Sequence, residues 1–395
     1  MSLTSFKKLI LNSGKERSLV FRHPWVFSGA IKKTDAGIGE GEIVEVFTST
    51  GDYIATGHYH DGSIKVRLFS FEKTEADFAF WLKKFQSAFA LRRQLQLTSN
   101  PLTTAYRLIH GEGDGFPGLI VDVYGSSIVL QAHTLGMHRL INVFKDCLIE
   151  LFGKSVSVIY DKSSESLGRQ LSAASTNSFL LGDQPEVIVS ESGLKYKVNY
   201  VEGQKTGFFL DQRDNRNLLR SYSSGKSVLN TFCYSGGFSL AALAGGATSV
   251  VSVDSSAKAT ALAAENNTLN GFQNHEIVTD DVFEFLRNRQ EFFDIVVLDP
   301  PAFAKHLSAV DKAMIGYRNL TVQGLKKVKQ GGILFTFSCS QVIDKQLFRK
   351  VMFQAAAQSG RNVRILHQLS QGADHPISIY HPEGEYLKGL VLYVD

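Results

Sequence analysis

The feature that most constrains this chain is a change of rhythm just after Thr206. From there on, short runs rich in Val, Ile and Leu alternate with segments of helical spacing. The pattern predicts a helix over 212–221, a strand over 227–230, a helix over 237–243, a strand over 249–253 and a helix over 258–269. It continues with a strand at 277–278, a helix over 283–288, a strand over 294–298, a helix over 313–328 and a strand over 332–337. Repeated βα units of this kind require a parallel, doubly wound sheet, because parallel neighbours can be joined only by a crossover. A ligand site is then expected at the carboxyl ends of the strands.

The preceding half reads differently. Alternating stretches at 42–47, 53–59 and 64–69, separated by Gly-containing turns, predict a small β-rich module over the first ~70 residues. From about 75 to 97, Phe78, Trp81, Leu82, Phe85, Phe89 and Leu95 fall at helical spacing, with a basic face opposite. Short strands follow within 107–131 around the Gly-rich 111–118, then a helix over 138–152, a strand over 156–160 and a hairpin over 187–200. The 395 residues exceed what one core supports, so two or three domains are expected.

Composition excludes several classes. Hydrophobic residues at 44% and charged residues at 20% describe a globular chain. No run of 18 apolar residues occurs, so no membrane span is expected, and the first residues lack the apolar core of a secretory signal. Cys147, Cys233 and Cys339 form no CxxC, which argues against a disulfide framework and a zinc site, and no metal is predicted. Net charge is only +4, but it is unevenly spread: residues 1–33 carry seven Lys or Arg against one acid. Residues 78–111 carry no acid, with Lys83, Lys84, Arg92, Arg93 and Arg107. Such clustering suggests a polyanion partner, with Lys83, Lys84, Arg92 and Arg93 as a guiding face.

The motifs lie at strand ends. The first strand of the α/β region runs into Asn230-Thr231-Phe232-Cys233-Tyr234-Ser235-Gly236-Gly237, whose glycines let backbone approach a ligand and open a helix. The turn is not G-x-G-x-x-G, so a dinucleotide has little support. Asp254 ends the second strand, where an acid accepts both ribose hydroxyls of an adenosine. Asp281 follows the third, where a carboxylate meets an adenine amine. In this order they resemble the S-adenosylmethionine site of class I methyltransferases. The fourth strand ends in Asp299-Pro300-Pro301-Ala302-Phe303. Asp-Pro-Pro-aromatic is the pattern of methyltransferases acting on exocyclic amines, but here Ala302 holds the aromatic position.

The fifth strand ends in Phe337-Ser338-Cys339-Ser340. A lone Cys is ordinarily a small buried hydrophobe, and Cys147 and Cys233 read so. Cys339 differs, sitting at the catalytic end of a strand beside the Asp-Pro-Pro strand. A pyrimidine C5 is too weak a nucleophile to take a methyl group directly; a thiolate added at C6 makes an enamine whose C5 can. Cys339 is therefore the nucleophile candidate and Asp299 its catalytic partner, holding the pyrimidine edge. The site is expected to lower the thiol pKa from about 8.5, or to take its proton as the base docks.

Arg22-His23-Pro24-Trp25-Val26-Phe27-Ser28-Gly29, Tyr106-Arg107-Leu108-Ile109, Gly203-Gln204-Lys205-Thr206-Gly207-Phe208-Phe209-Leu210-Asp211-Gln212-Arg213, Asp299-Pro300-Pro301, Phe337-Ser338-Cys339-Ser340 and His381-Pro382-Glu383-Gly384-Glu385-Tyr386-Leu387-Lys388-Gly389 together resemble the ribosomal large-subunit methyltransferase I family over nearly the whole chain. The resemblance implies an α/β fold with a Rossmann-like class I methyltransferase domain over 186–395, a PUA domain over 1–72 and a small central α+β substrate domain over 73–185. It implies S-adenosylmethionine as cofactor and formation of 5-methylcytosine in large-subunit (23S) ribosomal RNA, by a cytoplasmic homodimer. Asn230, Phe232, Tyr234, Ser235, Gly236, Asp254, Asp281 and Asp299 are the expected cofactor contacts. Phe208 and Phe209 would wall the cofactor, and Lys205, Gln212 and Arg213 offer donors to its methionine carboxylate or to a phosphate. Related RNA cytosine methyltransferases carry a second Cys where Pro301 stands, so release here needs another base. Guanine N-methylation, or an inactive assembly factor on the same fold, are the alternatives.

Overall fold

The computed structural model describes residues 6–167 and 176–395. The chain divides into two compact units. One comprises Met1–Val189, Val198–Phe208 and Ala373–Gly384; the other comprises Ser190–Lys197, Phe209–Gly372 and Glu385–Asp395.

The first unit contains two sheets. A six-stranded sheet has the order Trp25–Phe27, Ile64–Ser70, Tyr53–Tyr59, Ile43–Phe47, Lys7–Leu11, Ile31–Thr34. Lys7–Leu11 runs parallel to Ile43–Phe47 while the remaining pairs are antiparallel. Alternation sends Leu9, Leu11, Val44, Val46, Val66 and Leu68 into one core. The five-stranded sheet has the order Ser178–Leu181, Val158–Asp161, Ser127–Ala132, Leu119–Tyr124, Ala105–His110. Its one parallel pair, Ser127–Ala132 with Val158–Asp161, is joined through the helices Leu135–Arg139 and Ile141–Phe152. The helix Phe78–Gln94 buries Trp81 and Phe85 against Phe116 and Phe144.

That helix corrects one expectation. Arg92 is fully buried, paired with the Asp114 carboxylate through both terminal nitrogens and donating Nε to the Arg107 carbonyl at 2.7 Å. Lys84 is half-buried, donates to the Phe69 carbonyl at 3.0 Å, and burial pulls its pKa down to about 8. Only Lys83 and Arg93 of the four face solvent. Arg107 is likewise buried on Asp122, at 2.7 and 2.8 Å. Half of the basic helix face is thus core-facing, because acids distant in sequence neutralise it.

The second unit is built on a seven-stranded sheet: β1 (Ser227–Thr231), β2 (Ser249–Asp254), β3 (His275–Thr279), β4 (Phe293–Leu298), β5 (Val328–Ser338), β6 (Val363–Leu369) and β7 (Lys388–Val394). The order is β3-β2-β1-β4-β5-β7-β6. The first five strands are parallel, and β7 is antiparallel to both its neighbours. Central strands such as Phe293–Leu298 are nearly continuous apolar runs, as helices on both faces require. The sheet order reverses at β1, where chain leaves β1 in one direction and β4 lies on the other side, so a crevice opens at the carboxyl ends. The α/β class expected from the rhythm is the class observed, with a β-rich module before it in the chain. Among the described residues no helix is long and apolar enough to cross a membrane, and no group of three or more His, Cys, Asp or Glu is placed to hold a metal ion.

Candidate functional site

The turn after β1 is tightly wound. Phe232 and Tyr234 have φ of 54° and 46°, and Gly236, at 80°, is the N-cap of the helix Gly237–Ala244. A non-Gly residue in that region costs energy that the surroundings must offset. They do so here by hydrogen bonds. Asp254 at the end of β2 accepts from the Tyr234 N–H at 3.0 Å and from the Ser256 N–H at 2.9 Å. Asn266 donates to the Ser235 carbonyl at 2.9 Å. Gly236 leaves little room for a side chain, since a Cβ there would lie 3.2 Å from the Ala263 Cβ, and its φ of 80° disfavours any other residue. Asn230 donates to Ser239 Oγ at 2.8 Å, while its own side-chain oxygen is buried with no hydrogen-bond partner. Phe209 sets its ring edge-on to Tyr234, centroids 5.3 Å apart.

Asp281 follows β3 as the N-cap of the helix Val282–Asn288, its Oδ1 accepting from the Phe283 and Glu284 N–H groups at 2.9 and 3.0 Å. That leaves Oδ2 for another donor. Gln212 and Arg213 each lie beside an acid. Gln212 donates Nε2 to Asp299 Oδ2 at 3.1 Å. Arg213 is buried with its Nε 3.8 Å from Glu191, a carboxylate that also takes a two-pronged contact from Arg216 at 2.6 and 2.7 Å. Lys205 and Phe208 belong to the other compact unit.

Cys339 follows β5 directly, beside the Asp299 that follows β4. Its flanking residues are buried: Ser340 Oγ is 2.9 Å from the Tyr317 hydroxyl and accepts from the Ala304 N–H at 3.3 Å. Phe303, half-buried, packs on Tyr317 with centroids 4.6 Å apart, so the aromatic of the Asp-Pro-Pro segment leans on the core. Burial pushes Asp299 up to about 7, reinforced by the Asp211 charge and opposed by the Gln212 donor. Burial, with the fields of Asp299 and Asp211, pushes Cys339 up to about 11. The direction is therefore opposite to the lowered thiol pKa expected above, because burial first and the two carboxyls second favour the protonated thiol; removal of its proton as the base docks is the other route. Cys147 and Cys233, buried in cores, rise to about 12. Of the three, Cys339 alone retains partial exposure.

Three further residues complete the site without any local signal in the sequence. Tyr386 donates its hydroxyl to Asp211 Oδ2 at 2.7 Å. Lys388, register partner of Ser338, donates Nζ to the carbonyls of Ser340 and Tyr386 at 2.7 and 2.6 Å. Burial lowers its pKa to about 8, and its charge opposes the rise at Cys339. Asp211, Tyr386 and Lys388 all stand in segments quoted above for their resemblance, but only the pairing of β5 with β7 brings them together.

A seven-stranded sheet of this order, with a glycine turn after β1 and acids after β2, β3 and β4, defines an S-adenosylmethionine-dependent methyltransferase. The chain matches that family over residues 162–376 and the PUA-like domain family over residues 9–71. It is 38% identical over 396 residues to ribosomal RNA large subunit methyltransferase I of Escherichia coli O139:H28, covering 98% of this chain and 99% of that protein. It is 39% identical over 398 residues to the protein of that name from Photobacterium profundum, again covering 98% and 99%. An S-adenosylmethionine-dependent methyltransferase structure from Streptococcus mutans superposes with a TM-score of 0.84 at 24% identity, covering 98% of this chain and 100% of that one. A methyltransferase solved with SAH superposes at 0.85, with the same identity and coverage. The chain belongs to the ribosomal RNA large subunit methyltransferase I family, and S-adenosylmethionine is its cofactor.

Proposed function

We propose that this protein methylates C5 of a cytosine in large-subunit ribosomal RNA, with Cys339 as nucleophile, acting in the cytoplasm as a homodimer. The observation that carries the chemistry is the adjacency of Cys339 and Asp299 at the ends of neighbouring strands, where the Asp299 charge adds to the burial that holds the proton on the thiol. The RNA substrate is supported by the names of the relatives, and the homodimer by family resemblance.

The unpartnered Asn230 oxygen and the Gly236 turn fit S-adenosylmethionine. Phe232, Tyr234, Ser235 and Gly236 would line its amino-acid end, Asp254 would accept the ribose hydroxyls, Asp281 the adenine amine, and Phe209 would wall it. Gln212 and Arg213 would orient its carboxylate side, Gln212 through its bond to Asp299. When bound, the cofactor supplies an electrophilic methyl group on a sulfonium.

Asp299, protonated below about 7, donates to cytosine N3. That draws the π pair from C6 as the Cys339 sulfur adds there, forming the S–C6 bond and leaving C5 electron-rich. The thiol proton leaves as the base docks, the Lys388 ammonium facing the thiolate formed. Once C5 has bonded the methyl group that the bound cofactor would supply, leaving that sulfur as a neutral thioether, the C5 proton passes to solvent, its electron pair restores the C5–C6 double bond, and the S–C6 pair departs with the Cys339 thiolate. Reaching C6 requires an unstacked base, so single-stranded or flipped cytosine is expected.

The test is covalent trapping on RNA carrying 5-fluorocytosine. Fluorine cannot leave as a proton does, so the methylated adduct is expected to survive denaturation and map to Cys339. Cys339→Ala is expected to keep cofactor binding and lose all turnover. An adduct on another residue, or methylation by Cys339→Ala, contradicts the reading.

A further inference from the structure

The two oxygens of the Asp211 carboxyl have unlike surroundings. Oδ2 accepts the Tyr386 hydroxyl proton at 2.7 Å, whereas Oδ1 is buried with no hydrogen-bond partner. The Asp211 backbone is itself anchored, its carbonyl accepting from the Gly372 N–H at 3.2 Å. The next residue, Gln212, bridges to Asp299 at 3.1 Å, and the Asp211 charge is felt at both Asp299 and Cys339. Asp211, Asp299 and Cys339 are therefore near neighbours at this end of the sheet. A carboxylate oxygen buried without a donor is destabilising, and such an oxygen is expected to meet a donor in the working complex.

Cytosine and uracil differ in what they offer there. Cytosine presents an exocyclic N4 amine that donates beside an N3 that accepts; uracil presents an O4 that accepts beside an N3–H that donates. We propose that Asp211 selects cytosine over uracil, its Oδ1 accepting from the N4 amine while Asp299 donates to N3. Tyr386 is a positioning residue: by occupying Oδ2 it aims Oδ1 at the base. Uracil in the same pose would set O4 against the carboxylate, two acceptors with no proton between them, which costs more than a missing bond. This assignment rests on the cytosine-C5 reading and adds to it the group that reads the base.

The geometry suggests a specific variant. In Asp211→Asn the Tyr386 hydroxyl still requires an acceptor, so the amide oxygen takes the place of Oδ2 and the amide NH2 takes the place of Oδ1. A donor then faces the base, which fits O4 of uracil and opposes N4 of cytosine.

The experiment first maps the nucleotide that the wild type traps in a large-subunit ribosomal RNA transcript containing 5-fluorocytosine. Ligated transcripts are then made with 5-fluorocytosine or 5-fluorouracil at that nucleotide alone. Adduct formation is measured for each, with cofactor affinity measured by calorimetry alongside. The wild type is expected to favour fluorocytosine by about 10–100-fold. Asp211→Asn is expected to bring that ratio to one or below with cofactor affinity kept, and Tyr386→Phe to reduce it several-fold. A wild-type ratio in Asp211→Asn overturns the proposal. Should Asp211→Asn trap neither base, Tyr386→Phe decides: a reduced ratio supports the proposal and an unchanged one overturns it. A wild type that traps no base overturns the Cys339 reading itself, a result separate from any change in ratio.

Discussion

At the residue scale, the site places Asp299 where burial makes it hold a proton. Asp299 is held at about 7, well above its ordinary 3.8. Between those values the folded protein keeps a proton that the unfolded chain has released, so this contribution to stability is full below the ordinary value and lost as pH rises through about 7. Asp299→Asn removes the loss. The melting temperature of the variant relative to wild type should therefore climb between about pH 5 and about pH 8, and a flat difference would contradict the assignment. Asp254 holds the N–H of Tyr234, a residue at positive φ, and is proposed above to accept the ribose hydroxyls as well. Asp254→Ala should weaken S-adenosylmethionine binding by about 10–100-fold in calorimetry, as loss of a charge-assisted hydrogen bond does; an unchanged affinity in a folded variant would remove Asp254 from the cofactor site.

At the element scale, strands and helices with strong local signals were legible in the sequence, and charge placement was not. The spacing from Phe78 onward predicts the helix Phe78–Gln94 nearly to its ends, yet gives no hint that Arg92 points inward. Its partner Asp114 lies 22 residues away and the Asp374 carbonyl, 2.7 Å from the guanidinium, lies 282 away. The helix therefore divides its basic residues between two tasks. Neutralising Lys83 and Arg93 should flatten the salt dependence of RNA binding by at most about 2 on a log–log plot. Arg92→Ala should instead destabilise the fold by about 3–5 kcal/mol, because Asp114 is left as an uncompensated buried charge. Denaturant titration separates the two effects: a stable Arg92→Ala with an altered salt slope would reverse their roles.

At the scale of the whole molecule, the half of the sheet that follows βα rhythm was readable and the rest was not. β1 to β5 come from the chain's own alternation and lie parallel in the order β3-β2-β1-β4-β5. β7 has no helix before it, is antiparallel, and inserts between β5 and β6; its segment, Lys388–Val394, carries no periodic signal that fixes such a position. The same long-range pairing hides part of the site. Cys339, Asp299 and Asp254 are visible from the sequence because each ends a predicted strand, whereas Asp211, Tyr386 and Lys388 acquire meaning only once β7 lies beside β5. Residues 373–384 go with the first compact unit although the chain on both sides goes with the second, a crossing that no local pattern announces.

The central claim is the identity of the atom that receives the methyl group. Unmethylated large-subunit ribosomal RNA, incubated with the protein and isotopically labelled S-adenosylmethionine, can be digested to nucleosides and resolved by mass spectrometry. The account predicts the label in 5-methylcytidine, and its absence when Cys339→Ala replaces the wild type. Label in a methylated guanosine, or in 5-methylcytidine made equally well without the Cys339 thiol, would contradict it.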